Sequence, residues 1–96
     1  MPTPLNNETL QEIRTLAGLF YTPKEVCMML DLDKKTFAAG LINDDSEIYN
    51  AFYGGRLQAD MKFREKVIAL ANLGSSPAQT LVAKLIESSQ IKMNNR

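Results

Sequence analysis

Two residue types that commonly carry chemistry are scarce in this 96-residue chain: histidine is absent, and cysteine occurs once, as Cys27. Without histidine the chain lacks the commonest general base and the commonest metal ligand, so we predict neither an enzyme nor a metal site. A lone cysteine excludes an internal disulfide, and we expect a buried, inert thiol. No glycine-rich phosphate loop is present, and no cofactor is predicted.

Long apolar runs are also missing. No stretch approaches the ~20 apolar residues that a membrane helix needs, so no membrane partner is expected. The first residues, Met1-Pro2-Thr3-Pro4, contain neither a basic region nor an apolar segment, and we therefore expect no signal peptide and a cytoplasmic location. Apolar residues make up 45% of the chain, which is enough for a packed core.

An excess of one charge sign is the third absence, because eleven basic and eleven acidic residues give a formal net charge of zero. Many DNA-binding domains are clearly basic, so a neutral chain is not expected to bind DNA tightly as a monomer. When the chain is divided into residues 1–43, 44–75 and 76–96, only the last segment has more basic than acidic residues. Tight DNA binding would need several copies side by side, since multivalent binding adds avidity without tighter single contacts.

What the sequence does contain is a pattern over residues 22–41 that predicts two short helices joined by a tight turn. Thr22 has the side chain of an N-cap, Pro23 suits the first helical position, and Glu25 can complete a capping box with Thr22. The inward side of this helix is predicted to carry Val26, Met29 and Leu30. Leu32 in the turn is expected to enter the core.

The second short helix is predicted to start from an Asp33 cap and to turn Phe37 and Leu41 inward. Its outer side would present small and basic residues, which is typical of a helix that enters a DNA major groove. Lysines can contact phosphate or guanine, and a threonine can contact phosphate or a thymine methyl group. The alternative is an ordinary solvated helix start. The candidate DNA-binding residues are Lys24, Lys34, Lys35, Thr36 and Ala39.

Before this pair of helices, residues 1–6 are predicted to form a flexible arm because two prolines disfavour helix. Asn7 is the expected cap of a first helix that runs to about Gly18 or Phe20. Residues 7–45 would then form a three-helix, helix-turn-helix DNA-binding domain.

After it, a long helix of roughly 40 Å is predicted from a cap at Asp45 or Ser46, with Gly74 in its C-terminal cap. Ser76 is the expected cap of a last helix that packs against the long one as an antiparallel hairpin. Residues 46–90 would form this oligomerisation region, and residues 91–96 a polar tail. Fraying is expected from Ser88 to the end of the chain.

The pair Gly54-Gly55 inside the long helix is unexpected, because each glycine costs about 1 kcal/mol relative to alanine in a helix interior. Gly55 lies on the apolar stripe, so a close approach of two backbones would explain it. Gly54 does not lie on this stripe, and a hinge or kink at that position is one interpretation.

Residues 22–41 followed by AFYGGRLQAD (51–60) resemble the helix-turn-helix and the A-Y-x-x-G-R run of phage terminase small subunits. FREKVIALANLGSSPAQTLVAKLIE (63–87) is similar to their leucine-rich helix, glycine-serine turn and second helix. The second short helix of this chain has Gly40 where the motifs it resembles often carry a bulky aromatic residue.

The resemblance implies a non-enzymatic subunit that recognises packaging-site DNA, assembles into rings through the hairpin and engages a large subunit with ATPase and nuclease activities. Residues matching the oligomerisation region are Phe63, Val67, Leu70, Leu81 and Leu85.

The predicted fold class is therefore all-α: an N-terminal three-helix bundle containing the helix-turn-helix, then a long helix and an antiparallel helical hairpin. The leading function is DNA binding as a homo-oligomer, similar to a terminase small subunit. Two alternatives remain open. One is a dimeric phage-type transcriptional regulator. The other is a protein-interaction module that has the helix-turn-helix fold without DNA binding, an alternative supported by the neutral charge and by Asp31 and Asp33.

Overall fold

A computed structural model describes residues 2–95, and the prediction of an all-α chain is confirmed: this part of the chain contains five helices and no strand. Residues 1 and 96, the outer ends of the predicted arm and tail, lie outside the described residues. The helices are α1 (Asn7–Gly18), α2 (Pro23–Leu30), α3 (Lys34–Leu41), α4 (Glu47–Asn72) and α5 (Ser76–Asn94).

The chain divides into two compact units, Met1–Asp60 and Met61–Arg96, which we name the head and the hairpin unit. The sequence placed this boundary at residues 45–46, before α4. The structure places it within α4, because Ile48, Ala51 and Phe52 near the start of that helix belong to the core of the head.

The core of the head is built from α1, α2, α3 and the first part of α4. Phe37 and Phe52 meet edge to face at its centre, with ring centroids 6.3 Å apart. Leu32 enters this core from the turn, as predicted. Met29 does not, since 53% of it is exposed, and Cys27 occupies the inward side of α2 instead. The remaining core residues are Leu10, Ile13, Ala17, Val26, Ile48 and Ala51.

Two local motifs fix the ends of α2. At its start the predicted capping box is confirmed: the Glu25 amide donates to Thr22 Oγ1, and the Thr22 amide donates to Glu25 Oε1 at 2.9 Å. At its end Asp31 has a left-handed backbone, with φ of 53°. The Leu32 amide then donates back to the Cys27 carbonyl at 3.0 Å, which is the bond pattern of a Schellman motif.

The capping residues of two other helices differ from the prediction by one position. Asn6, not Asn7, caps α1 through a bond from the Thr9 amide to Asn6 Oδ1. Ser75, not Ser76, caps α5 by accepting from the Ala78 amide. In both cases the sequence offers two adjacent residues of the same capping type, so local preference alone does not choose between them.

The N-terminal segment is attached to the α2–α3 turn rather than free. Thr3 donates its backbone amide to the Asp31 carbonyl at 2.8 Å and its hydroxyl to the Leu30 carbonyl at 2.6 Å. The buried Thr9 hydroxyl lies 2.8 Å from the Pro4 carbonyl. The prediction of a flexible arm is therefore corrected for residues 2–6, because Thr3 satisfies carbonyls that the end of α2 leaves unpaired.

Close packing explains two of the glycines, against the backbone of α1 at Gly55 and against the Ile48 side chain at Gly40. A Cβ on Gly55 would collide with the Arg14 carbonyl oxygen and lie 2.9 Å from Arg14 Cα, so α1 and α4 cross with their backbones in contact, as predicted. A Cβ on Gly40 would lie 2.7 Å from Ile48 Cβ, which leaves no room for a larger residue at this position. Around Gly54 there is open space, and α4 continues through it as a helix.

Arg56 joins the end of α1 to α4. Its guanidinium donates to the carbonyls of Phe20 and Tyr21, each at 3.3 Å, and lies 5.3 Å from the centroid of the Phe52 ring. Phe20 has a left-handed backbone with φ of 67°, so α1 ends in a tight reversal. Arg56 pairs carbonyls that this reversal leaves outside the helix.

The hairpin unit has a small interior. Within it, Val67 and Ala78 are the buried apolar residues of the described part, where α4 and α5 meet. Gly74 has φ of 98° and ends α4, as predicted for a left-handed cap. α5 continues to Asn94, so residues 91–94 of the predicted polar tail are helical.

None of the described helices combines the length and the apolar character that a membrane crossing requires.

Candidate nucleic-acid interface

The turn from α2 into α3 places two lysines at the start of α3. Asp33 caps this helix: its Oδ2 accepts from the Thr36 amide at 3.0 Å and from the Thr36 hydroxyl at 2.7 Å. Phe37, 4% exposed, anchors α3 in the core. Lys34 and Lys35 are consequently held at a fixed helix N-terminus with their side chains exposed to solvent.

Asp33, the acidic cap of α3, remains charged near neutral pH. The hydrogen bonds from the Thr36 hydroxyl and amide lower the pKa of Asp33 below its ordinary value of 3.8. In the same way, the hydrogen bonds with Thr22 lower the pKa of Glu25 from 4.5. Both carboxylates therefore offset part of the lysine charge on α2 and α3 under conditions where DNA would bind.

The structure separates the five candidate DNA-binding residues into three groups. Lys24 and Lys34 line the same groove of about 700 Å³ between α2 and α3. Lys35 and Ala39 are four residues apart on the exposed side of α3, so they lie on one face. Thr36 lines a separate cavity of about 250 Å³ beside the N-terminal segment, and its hydroxyl is occupied by Asp33.

The groove between α2 and α3 is largely apolar apart from its lysines. Met28 is 69% exposed at its edge, and Ala38 and Leu41 form the α3 side. Asp31 is the acidic residue that lines it. This surface offers apolar contact as well as positive charge.

Charge is divided unequally between the two units. The head contains five basic and nine acidic residues, a net charge of −4, whereas the hairpin unit contains six basic and two acidic residues, a net charge of +4. The charge counts of the three sequence segments did not show this division, because the boundary after Ser75 separates α4 from α5 and so divides the hairpin unit. The exposed lysines that the sequence analysis did not select are Lys62, Lys66, Lys84 and Lys92.

The predicted oligomerisation residues are distributed between the interior and the surface of the hairpin unit. Val67 is 5% exposed within its own chain, so it is not free to contact a second copy. Leu85 is half-buried. Phe63, Leu70 and Leu81 are exposed, and we name these three the Leu81 face.

A second apolar surface lies elsewhere on the same unit. Ile68, Ile86 and Met93, all exposed, line a groove of about 360 Å³ between α4 and α5. We name these three the Ile86 face. No residue of the Leu81 face lines this groove, so these exposed apolar residues of the hairpin unit fall into two sets.

Among residues 2–95 no group of three or more Cys, Asp or Glu side chains is arranged to hold a metal ion. Comparisons of the chain with protein-family models, curated proteins and solved structures found no match. The fold and the two surfaces are therefore the basis for a functional assignment.

Proposed function

We propose that this protein is a non-enzymatic DNA-binding subunit that recognises packaging-site DNA as a homo-oligomer, similar to a phage terminase small subunit. The observation that carries the proposal is α3: it follows a tight turn, is anchored by Phe37, and presents Lys34, Lys35 and Ala39 to solvent. A helix of this kind is suited to the major groove. The proposed location is the cytoplasm of the host cell.

The charge of the head favours several copies over one. A net charge of −4 repels phosphate, so a few lysines on α2 and α3 give a single head only weak attraction for DNA. Joining several heads makes the binding of each further head intramolecular and raises the overall affinity.

The two apolar surfaces of the hairpin unit support an assembly in which each copy has two neighbours. A two-fold dimer uses one self-complementary surface, whereas a ring uses two different surfaces that meet head to tail. Pairing the Leu81 face of one copy with the Ile86 face of the next would bury the exposed leucines and isoleucines of both. This arrangement is the reason for proposing a ring of copies.

The test is substitution of Lys34→Glu together with Lys35→Glu. We expect the affinity of the full chain for duplex DNA to fall by about 100-fold or more, because two phosphate attractions become repulsions at the helix that enters the groove. Fluorescence anisotropy with a labelled duplex at about 50 mM salt measures the affinity.

A matched pair of double variants, each changing the net charge by −2, separates the position of the charge from its amount. Gln11→Glu with Gln58→Glu adds two negative charges at exposed positions on α1 and α4. Lys34→Gln with Lys35→Gln makes the corresponding two-charge change on α3, and circular dichroism checks that helicity is retained. Equal affinity of the two double variants would remove α3 from the DNA contact.

The groove between α2 and α3 supports a second candidate, a protein-interaction module. Met28, Ala38 and Leu41 form an apolar surface that a DNA backbone would not fill, and the head carries a net negative charge. In the leading proposal, the resemblance to phage terminase small subunits implies a large subunit as a further partner. A dimeric regulator would instead bind half-sites one helical turn apart.

A further inference from the structure

We propose that the hairpin unit is a second nucleic-acid contact, in which Lys62, Lys66, Lys84 and Lys92 bind the phosphate backbone without reading its sequence. The inference rests on the proposed DNA-binding function and adds a site to it. The head would select the DNA, and the hairpin unit would supply most of the electrostatic attraction.

The first argument is the division of charge. The head has a net charge of −4 and the hairpin unit a net charge of +4, although the whole chain is neutral. Phosphate attraction supplies most of the sequence-independent affinity of DNA-binding proteins. If this chain binds DNA, the excess positive charge that such binding requires is in the hairpin unit.

The second argument is the placement of the lysines. Lys62 and Lys66 are four residues apart on α4, so their side chains leave the same side of the helix. Lys84 and Lys92 lie on α5, and all four lysines are exposed. The unit contains two acidic residues, Glu65 and Glu87, against six basic ones.

The third argument is chemical. A lysine ammonium is a compact charge on a flexible stem, which suits contact with a phosphate whose position changes along the duplex. The four exposed lysines are therefore suited to phosphate contact.

An acidic head from a neighbouring copy is the competing occupant of the same lysines. The two occupants differ in one measurable respect. If the lysines contact DNA, removing them lowers the salt dependence of DNA binding. If they contact a neighbouring head, removing them lowers the stability of the assembly instead.

The experiment compares the full chain with two variants, Lys62→Gln/Lys66→Gln and Lys84→Gln/Lys92→Gln, on a random-sequence 30-bp duplex. For each variant we expect the slope of log affinity against log salt to become less negative by about two per bound copy. The affinity at about 150 mM salt should fall about tenfold or more. Light scattering should show an unchanged assembly.

The control is Gln11→Glu with Gln58→Glu, which gives the same net charge with all hairpin lysines intact. It should leave the salt slope unchanged. Unchanged slopes and affinities in both hairpin variants, with Lys34→Glu/Lys35→Glu still deficient, would overturn this inference and leave the proposed function standing. Loss of binding in the hairpin variants alone would support this inference and contradict the proposed role of α3. Dissociation of the assembly at low salt, with affinity per assembled copy unchanged, would assign the lysines to a neighbouring head and overturn the inference.

Discussion

Replacement of Gly55 by alanine is expected to destabilise the head by about 3 kcal/mol, whereas the same change at the adjacent Gly54 is expected to stabilise α4 by up to about 1 kcal/mol. The two variants add one methyl group at neighbouring positions in one helix. Their opposite signs would come entirely from what surrounds each Cα atom.

At Gly55 the new Cβ would collide with the Arg14 carbonyl oxygen and would also lie 2.9 Å from Arg14 Cα. Both atoms belong to the backbone of α1, so no side chain can turn aside, and the two helices must separate. Gly18 lies at the same crossing, with a Cβ position 3.3 Å from the Gly55 carbonyl oxygen. Separation would loosen the packing of Ile13, Ala17 and Phe52 between α1 and α4.

At Gly54 no atom outside the local helix lies within 4 Å of a Cβ position. Alanine there reduces the conformational freedom of the unfolded chain and strengthens the helix. Urea denaturation of the two variants gives both free energies of unfolding. A stable Gly55→Ala variant would contradict the backbone contact between α1 and α4, and a strongly destabilised Gly54→Ala variant would support a hinge at that position.

The second large effect concerns assembly. Leu81→Glu and Ile86→Glu are each expected to convert the proposed multi-copy assembly into monomers, while an equimolar mixture of the two variants forms a 1:1 dimer. Leu81 is 43% exposed and Ile86 56% exposed, so a charge at either position is tolerated by the isolated chain. Burying that charge in an interface without a partner is costly.

The mixture distinguishes the two possible symmetries. Leu81→Glu retains an intact Ile86 face, and Ile86→Glu retains an intact Leu81 face. In a head-to-tail assembly these two intact surfaces meet once and growth then stops. In a two-fold assembly built on the Leu81 face, Ile86→Glu would remain a dimer on its own, and mixing would change nothing.

Light scattering coupled to size exclusion measures the masses of the single variants and of the mixture. The control is Ala83→Glu, an exposed residue of α5 between the two tested positions that belongs to neither face. It should keep the mass of the unmodified assembly. A monomeric mixture would contradict the pairing of the two surfaces.

Sequence reasoning succeeded where the determining interactions are local. The capping box of Thr22 and Glu25 and the Asp33 cap are formed within three residues of chain, and their side-chain chemistry is sufficient to predict them. The close backbone approach at Gly55 was predicted correctly, because a glycine on the apolar side of a helix is unfavourable unless a neighbouring backbone needs the space. The same local logic could not choose between Asn6 and Asn7 or between Ser75 and Ser76.

Interactions between residues distant in sequence were not predicted. Thr3 bonds to the Leu30 and Asp31 carbonyls across 27 and 28 residues, and Arg56 reaches back to Phe20 across 36. No spacing rule connects such pairs, because only the folded head brings them together. The unequal charge of the two units was hidden for the same reason: it depends on a boundary inside α4 that apolar periodicity does not mark.

The central claim is that assembly gives weak heads a useful affinity for DNA, and one measurement tests it most directly. The affinity of monomeric Leu81→Glu for a duplex at about 150 mM salt is compared with that of the unmodified chain, at equal concentrations of copies. We predict that Leu81→Glu loses at least 100-fold in affinity, although every lysine is unchanged. Equal affinity of the monomer and the assembly would contradict the claim.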